Sequence, residues 1–588
     1  MPGEVARTRR GRPPAPRGPA WPAGPAGHAL AFAPAVAAAA LVHGPALFSY
    51  FALDDIGALA RVRGLEPTPW PAPRPIANVL AWHALHAAFG ADPLPYFALL
   101  FALHLAACAL VYAMALAAAR TPWAAGLAAV LFASSSIAFT PLRWFSAVGD
   151  VLVVVFGGAA ALLVRAAAAR GRTGPAWLAA GAVLLAMLSK ETAAALPLAL
   201  LAALWRPGAA RGWWRPALPS LGAAAAFVAA FVAAVRATPY GGPAYAFDLS
   251  PRHLATNLAT YLAWTVRLDV PIRDLVASAQ PAAWPAGIAA GAALLALAWP
   301  PWAAARAGER AGLAWWLALL APVLVLGRQT YLYYLYAPWA GLCVALAALA
   351  ARLARRLPAR AGPVAAAAIA VAFTGVEFAS VRARAAARVG DLPVDRTVSA
   401  GTTLRHAVEG LRAAGVAAGD SVGFVNPWPR AYVDRAGGTL AVRRRPSGGA
   451  SYLPFAAALQ GGRAIAVLMP GVRVLGFEES IPAAWGEARI FQFENDGRLT
   501  ALGRGPDALA AYAGALTAAG RWDLLEDLSR RRLAAGDASP DPAFDLLYAI
   551  AGQGRDAEAR AAAAAFVRAF PDDRRSARLD SMLRRAAR

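Results

Sequence analysis

Apolar runs broken by short arginine clusters occupy most of the first 380 residues. The first run ends at Phe51 and follows Arg7, Arg9, Arg10, Arg12 and Arg17. At about 20 residues it can span a bilayer, and it reads as an uncleaved anchor entering from the cytoplasm. Further runs fall near 95–118, 123–140, 148–165, 175–189, 192–205, 217–236, 282–303, 311–327, 332–351 and 362–380. Together they predict about eleven transmembrane helices. The short loops that would share the side of the N-terminus carry Arg120; Arg165, Arg170 and Arg172; Arg206, Arg211 and Arg215; Arg306 and Arg310; and Arg352, Arg355, Arg356 and Arg360. That bias is the positive-inside pattern. The longer segments 52–94 and 237–281 then face outward, and an odd number of spans leaves everything after residue 380 outside. His253–Val270 contains Asn257, Arg267 and Asp269 between Pro251 and Pro271, which favours an interfacial or re-entrant helix over a twelfth span.

Beyond residue 390 the pattern becomes that of a soluble domain. Thr403–Ala414 has helical spacing, Ser421–Asn426 and Ala464–Leu468 are short β-rich runs, and Arg489–Glu494 alternates before Asn495-Asp496-Gly497, a hairpin signal. In the tail, Gly520-Arg521 and Gly554-Arg555 are 34 residues apart, as are Pro506-Asp507 and Pro540-Asp541. Thirty-four is the tetratricopeptide period, though with about two units an ordinary helical hairpin stays an alternative. The expected division is a disordered basic N-terminus (1–26), a transmembrane domain (27–380) with its outer loop 52–94, a small α/β domain (390–503) and a helical, tetratricopeptide-like tail (504–588).

Composition agrees with the pattern. Hydrophobic residues make up 59% of the chain and charged ones 15%, against about 25% charged in soluble domains. A net charge of +23 would suit nucleic-acid binding, but the arginines sit between apolar runs rather than on one basic face, which excludes it. Cys108 and Cys343 lie inside apolar stretches, so no disulfide framework or zinc site is expected. Among 57 basic residues Lys190 is the single lysine, which marks a place where arginine does not serve.

Four charged features fall at the predicted outer surface. Asp54-Asp55 follows the first span, and a carboxylate pair suits a general base, since each negative charge raises its neighbour's pKa. Ser189-Lys190-Glu191 interrupts an otherwise continuous apolar stretch, where ions are costly and point to function. Arg143-Trp144 with Asp150 lies at the connection between the third and fourth spans, and Arg328 precedes Tyr331, Tyr333, Tyr334, Tyr336 and Pro338. Each alone could be an interfacial anchor. Together they supply cations for the charge growing on a phosphate leaving group and a carboxylate to deprotonate a hydroxyl. His83 and His86, in the helix-like stretch Ile76–Phe89, could contact a sugar or a metal. The chain has no HExxH, GxGxxG, P-loop or CxxC, so nucleotide-driven pumping and zinc hydrolysis have no support.

Asp54-Asp55, Arg74-Pro75-Ile76, Pro95-Tyr96-Phe97 with His104, Arg143-Trp144-Phe145-Ser146 with Asp150, Leu188-Ser189-Lys190-Glu191 and Tyr334-Leu335-Tyr336-Ala337-Pro338 follow one another in an order that resembles the GT-C glycosyltransferase superfamily. Within it the string is most similar to bacterial relatives of the transmembrane and tetratricopeptide-repeat O-mannosyltransferases. The resemblance covers about residues 28–380. It departs where the family has His and Asn and this chain has Phe97 and Leu100, and where an acid-Arg-Tyr triplet reads Gly327-Arg328-Gln329.

The resemblance implies an α-helical polytopic membrane protein of the bacterial inner membrane, its N-terminus cytoplasmic and its C-terminal domain periplasmic. Asp54 or Asp55 would be the catalytic base, and Lys190 with Arg143 or Arg328 would bind the donor phosphate. Glu191, Asp150, Arg74, His86, Tyr334 and Tyr336 would support them. The partners implied are a polyprenyl-phosphate-linked sugar donor, a hydroxyl acceptor of unknown kind and membrane lipids. The resemblance fixes no cofactor, and a divalent metal is left open. The rival readings are an oligosaccharide ligase, a lipid-linked sugar transporter or flippase, and a scaffold whose active site has decayed. A transporter would want mid-membrane polar residues and an inverted repeat, and the chain offers neither.

Overall fold

The computed structural model describes residues 24–69, 74–205, 211–237, 246–266, 284–299, 306–389, 392–426, 431–434, 441–444, 454–494 and 496–586. The expectations for the basic N-terminal segment, for 267–281 and for Asn495 fall outside them. The chain divides into two compact units. One comprises residues 1–47, 70–81 and 96–383, the other 48–69, 82–95 and 384–588. The outer loop expected to belong to the membrane domain therefore groups, in its larger part, with the C-terminal residues.

The first unit is helical. Pro25–Phe48, Pro93–Ala119, Phe145–Arg170, Arg215–Arg236, Leu332–Ala354 and Ala361–Ala386 are long and apolar enough to cross a membrane, and Pro122–Ser134, Gly174–Ser189, Glu191–Leu204 and Trp284–Ala296 are shorter apolar helices. Leu30, Leu41, Trp177, Leu198, Ile369 and Val371 are exposed on them. Water would penalise such surfaces and lipid would not, so the protein is membrane-embedded. Helices meet through small residues, as is common in bilayers. A Cβ on Gly341 would stand 2.6 Å from the Gly312 carbonyl oxygen, so Tyr336–Ala354 and Ala307–Leu324 touch backbone to backbone.

The run expected at 123–140 is helical only to Ser134. Ser134 turns its hydroxyl back onto the Val130 carbonyl, Ser135 takes extended backbone and accepts from the Ile137 N–H, and Pro141 has no N–H to give. Such side chains compete with the helix ladder. The resulting connection to Phe145 is buried, which is where irregular backbone at membrane depth is tolerated. Pro251–Thr265 is a helix capped by the Ser250 hydroxyl. It buries Asn257, which donates to the Leu324 carbonyl at 3.0 Å and accepts from the Thr330 hydroxyl at 3.0 Å.

Among the described residues the second unit contains eight strands: β1 Arg388–Val389, β2 Leu392–Pro393, β3 Ser421–Val425, β4 Ala431–Asp434, β5 Ala441–Arg444, β6 Arg473–Glu478, β7 Arg489–Phe493 and β8 Leu499–Gly503. The main sheet has the order β6-β3-β7-β8. β3 runs parallel to both β6 and β7, and β8 returns antiparallel on β7. The helix expected from Thr403 begins earlier, at Arg396, because the Asp395 carboxylate accepts from the N–H groups of Thr397 and Val398. Ala464–Leu468 is not a strand. It lies in the helix Arg463–Leu468, which starts after Gly462 at φ 97°. A five-residue apolar run has too few positions for periodicity to separate strand from helix.

Sheet and tail share one core, in which Val425, Trp485 and Ile490 pack with Tyr512, Leu516, Leu525 and Leu528. The tail helices are Gly505–Ala518, Trp522–Ala534, Pro540–Gly552, Asp556–Ala569 and Arg574–Ala586, each against the next. The 34-residue spacing is structural. Gly520 and Gly554 both turn with positive φ, 64° and 75°. Arg521 and Arg555 then open the next helix with matching backbones, φ −89°, ψ 65° and φ −89°, ψ 62°.

Candidate functional site

The helices Val148–Arg170 and Gly174–Ser189 form a hairpin turned at Gly171, which is left-handed at φ 62°. Asp150 sits in the first turn of one helix and Lys190 caps the C-terminus of the other, so each charge opposes the dipole end it occupies. Lys190 Nζ lies 2.6 Å from both carboxylate oxygens of Asp150, and both side chains are buried. Its ammonium also stands 4.8 Å from the ring centre of Tyr334 and 5.3 Å from that of Tyr333, within cation–π range. The Tyr334 hydroxyl donates to Gln329 Oε1 at 2.9 Å, and Tyr333 meets Trp144 edge to face.

A second pair lies next in the chain. Arg74 grips Glu191 bidentately, Nε to Oε2 at 2.7 Å and Nη2 to Oε1 at 2.5 Å. Arg74 takes left-handed backbone, φ 51° and ψ 59°, before a π-helical turn, Pro75–Leu80. Both are uncommon for a non-glycine residue and recur at functional sites. The cluster thus carries two cations and two carboxylates around an aromatic floor, and Arg's planar fork suits a phosphate as well as a carboxylate.

Gly149 makes this geometry possible. A Cβ there would fall 2.6 Å from the Ser189 carbonyl oxygen and 3.4 Å from Ala77 Cβ. Gly149→Ala is expected to force the two helix ends apart, destabilise the protein by about 1–3 kcal/mol and weaken any activity that uses Lys190. Thermal unfolding in detergent checks the first, and an unchanged melting temperature would refute it.

The other expected residues are distributed differently. Arg143 is buried with its guanidinium 4.1 Å over the Phe139 ring. Arg328 is exposed, between Gly327, whose N–H bonds the Ala246 carbonyl, and buried Gln329. The Tyr336 hydroxyl bonds His104 Nδ1 at 2.8 Å, with His104 Nε2 3.2 Å from the Ala133 carbonyl, so Tyr336 braces the helices at the base of the site. Sequence reasoning missed Gln329, which fixes Tyr334, and Glu377, a buried acid in the apolar helix Ala361–Ala386 that accepts from the Ser136 N–H at 2.5 Å. A lone acid in an apolar run was the available signal for the latter.

In the second unit, Asp54 and Asp55 open the helix Asp54–Val62. Asp54 is exposed, whereas Asp55 is buried and its Oδ2 accepts from the Ala52 N–H at 3.0 Å. His86 Nε2 accepts from Arg63 Nε at 3.4 Å. Burial, then the Arg63 charge and His83, lowers the His86 pKa below its ordinary value. A histidine depressed by folding contributes stability above its unfolded pKa, about 6.5, and loses it as pH falls through the folded value. Acidification from pH 7.5 to 5.5 should therefore destabilise the wild type more than His86→Gln, as melting temperatures at the two values would reveal. Equal pH slopes would refute it.

Among the described residues no group of three or more His, Cys, Asp and Glu side chains is placed to hold a metal ion. Comparison of the chain with protein-family models, with curated proteins and with solved structures finds no match.

Proposed function

We propose that this chain is a membrane glycosyltransferase of the GT-C type, moving a monosaccharide from a polyprenyl-phosphate donor to a hydroxyl acceptor on the extracytoplasmic face. The observation that carries this reading is the buried Lys190–Asp150 pair, with both contacts at 2.6 Å, under Tyr333 and Tyr334 and next to Arg74–Glu191. A lysine buried among aromatic rings with a carboxylate as its anion is a site in which a phosphate can take the carboxylate's place.

In the proposed reaction the bond from sugar C1 to phosphate oxygen breaks as the acceptor oxygen bonds C1 from the opposite side, inverting the centre. Lys190 and Arg74 hold the negative charge that the departing phosphate gains. Asp54 takes the acceptor's proton, and its exposure favours it over Asp55, whose carboxylate serves the Ala52 N–H. The arginine bias supports an eleven-span topology with the N-terminus inside and the C-terminal unit outside. The repeated helical pairs of the tail offer a surface for an acceptor or partner.

The test is sugar transfer from a labelled polyprenyl-phosphate sugar by purified protein in detergent, with membrane extract as acceptor. Loss of label from the lipid supports the proposal. Folded protein that leaves the donor intact would sink it and move the flippase reading ahead, to be tried in liposomes.

A further inference from the structure

Among the described residues of the second unit, two that are not glycine hold left-handed φ, and they bind each other. Leu53, immediately before Asp54, has φ 52°, and Gln460 has φ 51°. A branched side chain at such φ is a true outlier, held only where its surroundings insist. Here Gln460 Nε2 donates to the Leu53 carbonyl at 2.6 Å. Arg463 Nη1 donates to Gln460 Oε1 at 3.1 Å, which fixes the amide with its N–H toward Leu53, because a flipped amide would set donor against donor.

The same short segment follows the acidic helix to its end. Arg463 pairs with Glu66 and flanks Gly57, where a Cβ would stand 3.2 Å from its Nη2. Arg63, just past the helix, donates to the Val467 carbonyl. Gln460–Leu468 thus grips the Asp54–Val62 helix before its first residue, at its middle and after its last.

We infer that Gln460, backed by Arg463, is a positioning residue that aims the Asp54 carboxylate by pinning the peptide before it. This rests on the transferase reading, in which Asp54 is the base. Released from Gln460, Leu53 would relax to negative φ and rotate the start of the helix, and general-base catalysis is sensitive to such displacement.

Gln460→Glu is the discriminating variant, because it keeps shape and the Arg463 contact but sets a carboxylate oxygen against the Leu53 carbonyl. It should lower kcat about tenfold or more with KM for the labelled polyprenyl-phosphate sugar within about twofold and the melting temperature nearly unchanged. Amide hydrogen exchange over 52–62 should quicken. An active wild type with an unaltered variant overturns the inference, as does a variant whose kcat loss only tracks a lower melting temperature. If the wild type transfers no sugar, the transferase reading fails and exchange alone judges the clamp. Quicker exchange keeps it as a structural tie, and unchanged exchange removes it.

Discussion

Asp54→Asn is expected to reduce sugar transfer by at least about a hundredfold, the scale of lost general-base catalysis, while leaving the melting temperature almost unchanged. The carboxylate is exposed at the first turn of its helix, and Asn keeps its size and an accepting oxygen there, so the fold should tolerate the amide. Asp55 should behave in the opposite way. It is fully buried and accepts the Ala52 N–H at 3.0 Å, so Asp55→Ala leaves that donor unsatisfied and should cost about 1–3 kcal/mol. Asp55→Asn, whose amide oxygen can still accept, should be far milder. Transfer rates and thermal unfolding on the three variants separate the roles. Asp54→Asn with wild-type turnover, or activity lost only in Asp55→Asn, would reverse the assignment.

What could be read from sequence follows from how strongly physics constrains each residue. The apolar helices were legible because a bilayer demands long uninterrupted runs, and Lys190 because an ion in such a run must be compensated. That its partner would be Asp150 was not legible. The pair forms across a helix hairpin closed by Gly149, a contact between residues 40 apart that no local pattern announces. Side of the membrane, the coordinate that groups Arg143 and Arg328 with Lys190 in the sequence, is coarse. The structure sets one over Phe139 and exposes the other. The tail's period was visible because each turn needs a glycine at positive φ. Gln460 left no trace, since an amide in a polar loop has no pattern. Its role depends on a partner at Leu53, about 400 residues away in the chain.

The polar groups of the membrane unit also bear on the rival readings. Asp150 and Lys190 sit at helix ends, and Arg74 precedes a helix. A decayed scaffold has no reason to retain a buried ion pair at all, because two well-packed apolar residues are often at least as stable.

Lys190→Met leaves the Asp150 carboxylate buried without its cation, and Asp150→Leu strands the ammonium. Each single change should destabilise the protein by about 3–5 kcal/mol. The double variant Lys190→Met/Asp150→Leu removes both charges and should regain most of that stability, yet its sugar transfer should stay at least about a hundredfold below wild type, the scale of a lost charge-stabilising group. Asp150→Asn keeps shape and hydrogen bonding while freeing the ammonium. If Asp150 holds the place of a donor phosphate, this variant should bind polyprenyl phosphate more tightly than the wild type. Melting curves, transfer rates and lipid-phosphate binding on the four variants and the wild type decide the matter. A double variant that is both stable and fully active would mean the pair is only structural, and the phosphate site would have to be sought elsewhere.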